Sequence, residues 1–407
     1  MRNQDLQKKR WWILIASCFV TLCIGSLYSW SAFASPMSTH LSQCVGYEIK
    51  SLAIVFTIAN AVGPITMISG GFINDRIGPK GILLVGGVLF GTGMICSGFA
   101  RSIGVLIVTY GLGVGLGVGM VYGVTVSNTV KFFPDKGGLA GGVITACYGA
   151  SSVIIPPVAN ALSEAYHVTT AFKIIGVVMM VIICASAFVI KPCPKDNQVA
   201  GTAMSRAAAE SKEYNFREML KESDFYIMIV TMMCGAFAGM MVISQASQIA
   251  QRMMGMTPAV AAVVVSVIAL FNTMGRLVSG VISDRIGETG TMLIVFAISL
   301  AANMALFFCG EAAAVQFYCS LAVVGFSFGS VMGIYPGFTA RRFGRKNNSV
   351  NYGIMFIGFA VAGIVGPMAI NAVYNNTGHY QPAFLIAAVL SGAAWILAMV
   401  MNRKCTK

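Results

Sequence analysis

Twelve times along its 407 residues, the chain runs through twenty or so mostly apolar residues between short polar breaks. The stretches span roughly 11–34, 51–73, 81–100, 103–130, 139–163, 170–190, 224–248, 258–282, 290–309, 313–338, 349–373 and 381–402. A helix rises about 1.5 Å per residue, so each can cross a hydrocarbon layer of about 30 Å. Only helices satisfy every backbone group within such lengths. Barrel strands would be about ten residues long with alternating polarity, which is absent. Composition agrees: 57% of residues are hydrophobic and 10% charged, where an ordinary soluble domain is about 25% charged. The expected fold class is an all-α membrane protein with twelve transmembrane helices. A soluble enzyme around one core is excluded.

Charge then orients the spans. The chain holds 27 basic and 14 acidic residues, a net +13. Membrane proteins collect Lys and Arg in cytoplasmic loops, so this excess does not point to nucleic acid. With the N-terminus inside, the outer segments hold only Lys50, Arg101, Lys173 and Arg252. Every other basic residue except Arg276 falls in a cytoplasmic segment or terminus. The asymmetry predicts a multi-pass plasma-membrane protein with both termini cytoplasmic and the lipid bilayer as its surroundings. The N-terminal stretch Met1–Arg10 is basic, and the apolar run after it lacks a small-residue cleavage site. It reads as a retained first span rather than a signal peptide. The 11 cysteines have no metal spacing and mostly lie inside apolar runs, as small packing residues do.

A polar segment with Pro192, Pro194 and mixed charge divides the chain. It separates an N-terminal bundle, 1–190, from a C-terminal bundle, 224–407. The intervening 191–223 reads as a cytoplasmic linker with a short amphipathic helix near Phe216–Leu220. The halves are related. After the second stretch the chain reads Gly71-Phe-Ile-Asn-Asp75-Arg76-Ile-Gly78. After the eighth it reads Gly280-Val-Ile-Ser-Asp284-Arg285-Ile-Gly287. Similarity at a fixed offset marks a duplication, and duplicated six-span halves around a midplane site are a known transporter plan. In each copy the glycine permits close helix approach, the acid can cap a neighbouring helix end, and the base can add an interfacial charge contact. The same charges would also serve as simple topogenic turn residues.

One basic residue, Arg276, lies inside a span, about 12 Å of helix before Asp284. All the acidic residues lie in loops or at span edges. A guanidinium at this depth costs at least about 2.5–3.5 kcal/mol. It suits a water-filled cavity and a carboxylate, which it can grip through two parallel hydrogen bonds. The structural alternative is a bond to backbone carbonyls, or a side chain that reaches the inner surface. Asn272, one turn earlier on the same face, can orient the guanidinium or bind substrate. Tyr28, Tyr122, Tyr148 and Tyr335 are candidate walls, because a tyrosine hydroxyl at membrane depth needs a partner. Tyrosines also populate membrane interfaces, as Trp11 and Trp12 do. The glycines clustered from Gly111 to Gly123 imply close helix packing rather than a phosphate loop.

The paired Gly-x-x-x-Asp-Arg-x-Gly loops in a twelve-span chain resemble the signature of the major facilitator superfamily. The motifs Leu27-Tyr28-Ser29-Trp30, Val121-Tyr122-Gly123, Phe133-Pro134-Asp135-Lys136, Tyr148-Gly149, Asn272-x-x-x-Arg276 and Asn351-Tyr352-Gly353 narrow the resemblance. They are similar to the oxalate/formate antiporter family, which is related to the monocarboxylate transporters. The resemblance implies the major facilitator fold of two pseudo-symmetric six-helix bundles, located in the plasma membrane (the inner membrane, if bacterial) and working by alternating access. It implies that Asp75, Arg76, Asp284 and Arg285 latch the cytoplasmic side, and that Arg276 holds a small organic anion. Where the oxalate exchangers carry a second buried base, this chain has Phe359. Where animal monocarboxylate transporters carry an Asp, it has Asn272.

Two cations suit a dianion and one suits a monoanion. The expected function is therefore secondary transport of small monocarboxylates such as lactate, pyruvate or formate, with a proton or a counter-anion as the coupled partner. Oxalate/formate antiport and a carboxylate sensor built on a transporter fold are the alternatives. An enzyme is not expected, since no catalytic set, metal cluster or cofactor motif is present. Neither is a required partner chain: the carrier is expected to act as a monomer.

Overall fold

The computed structural model describes residues 2–49, 51–194, 212–310 and 313–406. Of the positions named above, Met1, Lys50 and linker residues 195–211 lie outside the described residues. Among the described residues every regular element is helical, and twelve helices are long and apolar enough to cross a membrane. They are α1 (Lys9–Ser29), α2 (Ala53–Ile77), α3 (Pro79–Ser97), α4 (Ile103–Phe132), α5 (Gly137–Tyr166), α6 (Val168–Val189), α7 (Ser223–Met254), α8 (Val260–Ile286), α9 (Glu288–Phe307), α10 (Ala314–Phe343), α11 (Asn348–Thr377) and α12 (Gln381–Arg403). The sequence stretches match these one for one. Several helices overrun their apolar stretch, because backbone hydrogen bonding continues past the hydrocarbon edge. A short helix, Phe216–Met219, precedes α7.

Three of the twelve helices depart from regular α geometry: α11 is interrupted at Phe356, and in α1 and α4 close contacts lie in or beside the departure. In α1, Gly25–Ser29 tightens into a 3-10 turn that runs on into a helix Trp30–Val45. A Cβ on Gly25 would lie 2.8 Å from the Ser151 Cβ, so α1 is pressed against α5 at this turn. In α4, Ile107–Val114 is a π-helical segment before the regular helix Gly115–Phe132. Gly117 there would place a Cβ 2.7 Å from the Phe90 backbone of α3, so the glycine-rich run is indeed a packing surface. The two signature loops turn alike. Gly78 (φ 92°) and Gly287 (φ 81°) occupy the left-handed region that side chains rarely adopt, and each ends one helix and opens the next.

The chain forms two compact units. Unit 1 is Met1–Asp135, Cys147–Asn215 and Thr339–Ile354; unit 2 is Lys136–Ala146, Phe216–Phe338 and Met355–Lys407. The first turns of α5 thus belong to unit 2, and the α10–α11 connection belongs to unit 1. Within unit 1, α3 packs on α6 and α2 on α4. Gly87 and Gly91 of α3 sit directly on Ile183 and Met180 of α6, where four-residue spacing keeps both glycines on one face. Unit 2 repeats the pattern with α9 on α12, while α10 meets α8 through Gly329 and Gly333. Large apolar side chains such as Val85, Val88, Val178, Val181 and Val263 remain exposed. Exposure on this scale would be a liability in water, but it is what a hydrocarbon solvent covers.

Candidate functional site

Arg276 lies on α8 within unit 2 and is 1% exposed. Its Nε donates to Asn272 Oδ1 at 3.0 Å, and its Nη1 donates to the Thr145 carbonyl of α5 at 2.9 Å. Asn272 is one helical turn back, so helix geometry sets its oxygen against the guanidinium edge. Asn272 and the Thr145 carbonyl therefore fix the orientation of the guanidinium plane. The bond to Thr145 is the carbonyl contact given above as the structural alternative; it coexists with the Asn272 contact. The helix backbone is gripped as tightly as the side chain. Gly142 of α5 would place a Cβ 2.6 Å from the Arg276 carbonyl, and Gly333 of α10 meets the Arg276 backbone from another side.

Below the guanidinium lies an aromatic bed. The Phe328 ring of α10 is 6.0 Å from Arg276 Cζ, within cation–π range. Phe359 of α11 stacks on Phe328 at 6.3 Å and 20°, and Phe356 meets Phe359 at 4.5 Å. Phe359 is thus one ring removed from Arg276. Tyr335 is also in unit 2, and its hydroxyl is engaged there: it donates to the Met228 carbonyl at 2.8 Å and pairs with Thr231 at 2.7 Å. Its place is inside the α7–α10 contact.

The other three tyrosines converge in unit 1. Tyr148 stands at 5.1 Å from both Tyr28 and Tyr122, edge to face in each case. The expected contact residues therefore form two sets: Arg276, Asn272, Tyr335 and Phe359 in one unit, and Tyr28, Tyr122 and Tyr148 in the other. His40 and His167 lie in unit 1, with ring centroids 5.1 Å apart. Burial, then the neighbouring His167 and Arg101, hold His40 below the ordinary imidazole range.

The acids of the two signature loops do matching work. Asp284 accepts from the amides of Gly138 (2.8 Å) and Leu139 (2.7 Å), capping the first turn of α5. Asp75 accepts from the Val350 amide (3.2 Å), in the first turn of α11, and pairs with Lys131 at 2.6 Å. Asn74, Ser349, Ser127 and Asn348 extend this cluster through hydrogen bonds of 2.7–3.1 Å. Arg76 and Arg285 are exposed. Asp135 is held by Arg10 at 2.8 Å. Sequence reasoning missed Thr145, Phe328 and the pairing role of Lys131. A backbone carbonyl carries no sequence signal, and Phe328 is one of 25 phenylalanines.

The model of the Major Facilitator Superfamily matches residues 18–367. The chain belongs to the major facilitator superfamily. It is therefore a multi-pass membrane carrier and not an enzyme. It is 30% identical over 399 residues to the oxalate:formate antiporter of Oxalobacter formigenes, covering 98% of this chain and 92% of that one. It is 29% identical to an uncharacterized transporter of this type, YhjX, of Escherichia coli K12, covering 89% and 88%. Human monocarboxylate transporter 12 is 22% identical, with 92% and 77% covered. Among solved structures, the proton:xylose symporter XylE superposes with a TM-score of 0.74 at 13% identity, covering 96% of this chain and 95% of that one. This last likeness concerns the fold alone.

Proposed function

We propose that this carrier moves small monocarboxylate anions across the plasma membrane by alternating access of two six-helix bundles, 1–190 and 224–407, joined by the linker 191–223. The observation that carries the reading is Arg276, a cation 1% exposed in the interior of a span and oriented by Asn272. A carboxylate can answer the charge of the guanidinium with charge-assisted hydrogen bonds, which are stronger than neutral ones. Within its own unit, Phe328 and Phe359 would supply a wall beside Arg276, and Tyr28, Tyr122 and Tyr148 form a separate aromatic surface in the other unit. The second position that would carry a cation for a dianion is Phe359, so one negative charge fits better than two. The likeness to an oxalate:formate antiporter and to a monocarboxylate transporter supports an organic anion as cargo. The coupled species is a proton or a second anion.

In this reading Asp75 and Asp284 are gate residues. Each carboxylate holds the first turn of a helix from the other half of the sequence, and the exposed Arg76 and Arg285 supply interfacial charge. Both termini face the cytoplasm, and the carrier works as a monomer.

The test is uptake into proteoliposomes, with formate, acetate, lactate, pyruvate and oxalate in competition, with and without a pH gradient. Arg276→Ala is expected to lower uptake at least about 100-fold while thermal unfolding still shows a folded protein. Asn272→Leu leaves the charge and the Thr145 contact but removes one of the bonds that orient the guanidinium. It is expected to raise KM about 10-fold, the worth of one charged hydrogen bond at about 1.5 kcal/mol. Undiminished uptake by folded Arg276→Ala would sink the assignment. Oxalate outcompeting every monoanion would favour oxalate/formate antiport.

A further inference from the structure

The linker ends in a tight attachment to the α10–α11 connection. That connection bends at Gly344, whose φ of 85° lies in the left-handed region. The bend turns two successive amides toward one carboxylate, an arrangement that makes an anion-binding concavity. Glu213 fills it: Oε1 accepts from the Arg345 amide at 3.2 Å and Oε2 from the Lys346 amide at 2.9 Å. A Cβ on residue 344 would run into the Glu213 carboxylate, so glycine is needed there for conformation and for space. Tyr214 continues the attachment. Its amide donates to the Phe343 carbonyl at 3.0 Å, and its own carbonyl accepts from Asn347 (3.0 Å) and Asn351 (3.1 Å). Its ring meets Phe343 edge-on at 5.9 Å, and the Lys212 ammonium sits 4.6 Å from the Tyr214 ring centroid.

Two consecutive linker residues thus make five hydrogen bonds to one nine-residue stretch, 343–351. That stretch also carries the groups that meet the α2 signature loop. Val350 donates to Asp75, Ser349 accepts from Asn74, and the Lys346 carbonyl accepts from Lys131 at 3.3 Å. Arg345 reaches the Pro134 carbonyl at 3.2 Å. All of these residues belong to unit 1. Burial and the nearby Arg341 hold the Arg345 guanidinium below its usual range. Glu213 is the first of the neighbouring groups that counter this.

We propose that Lys212–Asn215 is a strap that pre-shapes the α10–α11 turn for docking onto Asp75, so that closure of this gate depends on the linker. The proposal rests on the reading of the signature loops as a gate. A turn already folded against the strap docks without paying its ordering cost again, which shifts the closed state upward in population. Loosening the strap at Glu213 should therefore be felt at Val350, six residues past Gly344, where Glu213 makes no hydrogen bond.

Hydrogen exchange on the purified full chain in nanodiscs tests this without any substrate. In Glu213→Ala, the Arg345 and Lys346 amides are expected to exchange about 10-fold faster, and the Val350 amide several-fold faster in parallel. Peptide-resolved maleimide labelling of Cys193, whose thiol donates to the Lys131 carbonyl at 3.4 Å, should speed up with Val350. Glu213→Gln keeps one acceptor and should fall between. Gly344→Ala should reproduce the effect when Glu213 is present and add less when Glu213 is already alanine, since only the backbone strain at residue 344 then remains. Faster exchange confined to Arg345 and Lys346, with Val350 and Cys193 unchanged, would reduce Glu213 to a local cap and overturn the proposal. No change at any amide would overturn it outright. A wild-type chain that moves no carboxylate would sink the transport reading and leave these readouts standing.

Discussion

In the proposed reading, Phe359 is the uncharged side chain whose replacement tests the cargo most directly. It stacks on Phe328, which lies under Arg276, so a lysine at 359 would face the guanidinium across one aromatic ring. Two unit charges about 10 Å apart repel by about 1.7 kcal/mol at an effective dielectric constant of about 20. A dianion that reaches both cations around the Phe328 ring offsets that repulsion, while a monoanion offsets less of it. Phe359→Lys is therefore expected to shift preference toward oxalate over lactate by at least about 10-fold in competition assays. An unchanged ratio in a folded variant would place residue 359 outside the ligand site. At this scale Arg276 was legible because a cation within an apolar span is conspicuous, and Asn272 because helix periodicity puts it on the same face. Phe328 and the Thr145 carbonyl were not, since an aromatic ring in a membrane span and a backbone oxygen look like every other. Tyr335 shows the converse: its hydroxyl needed a partner, as expected, and finds two within its own unit.

Among the helices, α5 depends most visibly on a distant residue. The first turn of any helix leaves amides without intrahelical partners. In α5 two of them, at Gly138 and Leu139, are taken by the two oxygens of Asp284. Losing such a cap costs about 1–2 kcal/mol. Asp284→Ala is accordingly expected to speed exchange of the Gly138 and Leu139 amides about 5- to 30-fold, with Asp284→Asn showing less. Unchanged exchange would mean that α5 is capped by other means. The sequence allowed that an acid here could contact a helix end. It could not say which helix, because the contact spans 145 positions of chain. Helix existence followed directly from apolar length, whereas the 3-10 turn of α1 and the π-helical segment of α4 did not. Neither carries a residue pattern that marks it.

For the whole molecule, the repeat and the charge asymmetry were legible because each is a property of the sequence summed over many positions. The inclusion of 339–354 in the first compact unit was not, since it arises from hydrogen bonds among Asp75, Glu213, Asn351 and their partners rather than from any local preference. The charge asymmetry makes a claim that native cysteines can check. Cys44 is exposed in the connection after the first span, and Cys193 is half-buried just beyond the sixth. An odd and an even number of crossings put the two on opposite faces. Loops rich in Lys and Arg stay on the cytoplasmic side, and the connection after α6 and the signature loops are the basic ones. A membrane-impermeant maleimide added to intact cells is thus expected to modify Cys44 and to reach Cys193 only after permeabilisation, with peptide-level mass spectrometry separating these sites from the other cysteines. The opposite pattern would invert the orientation, place the Asp75 and Asp284 clusters on the outer side, and turn the proposed gate into an external one.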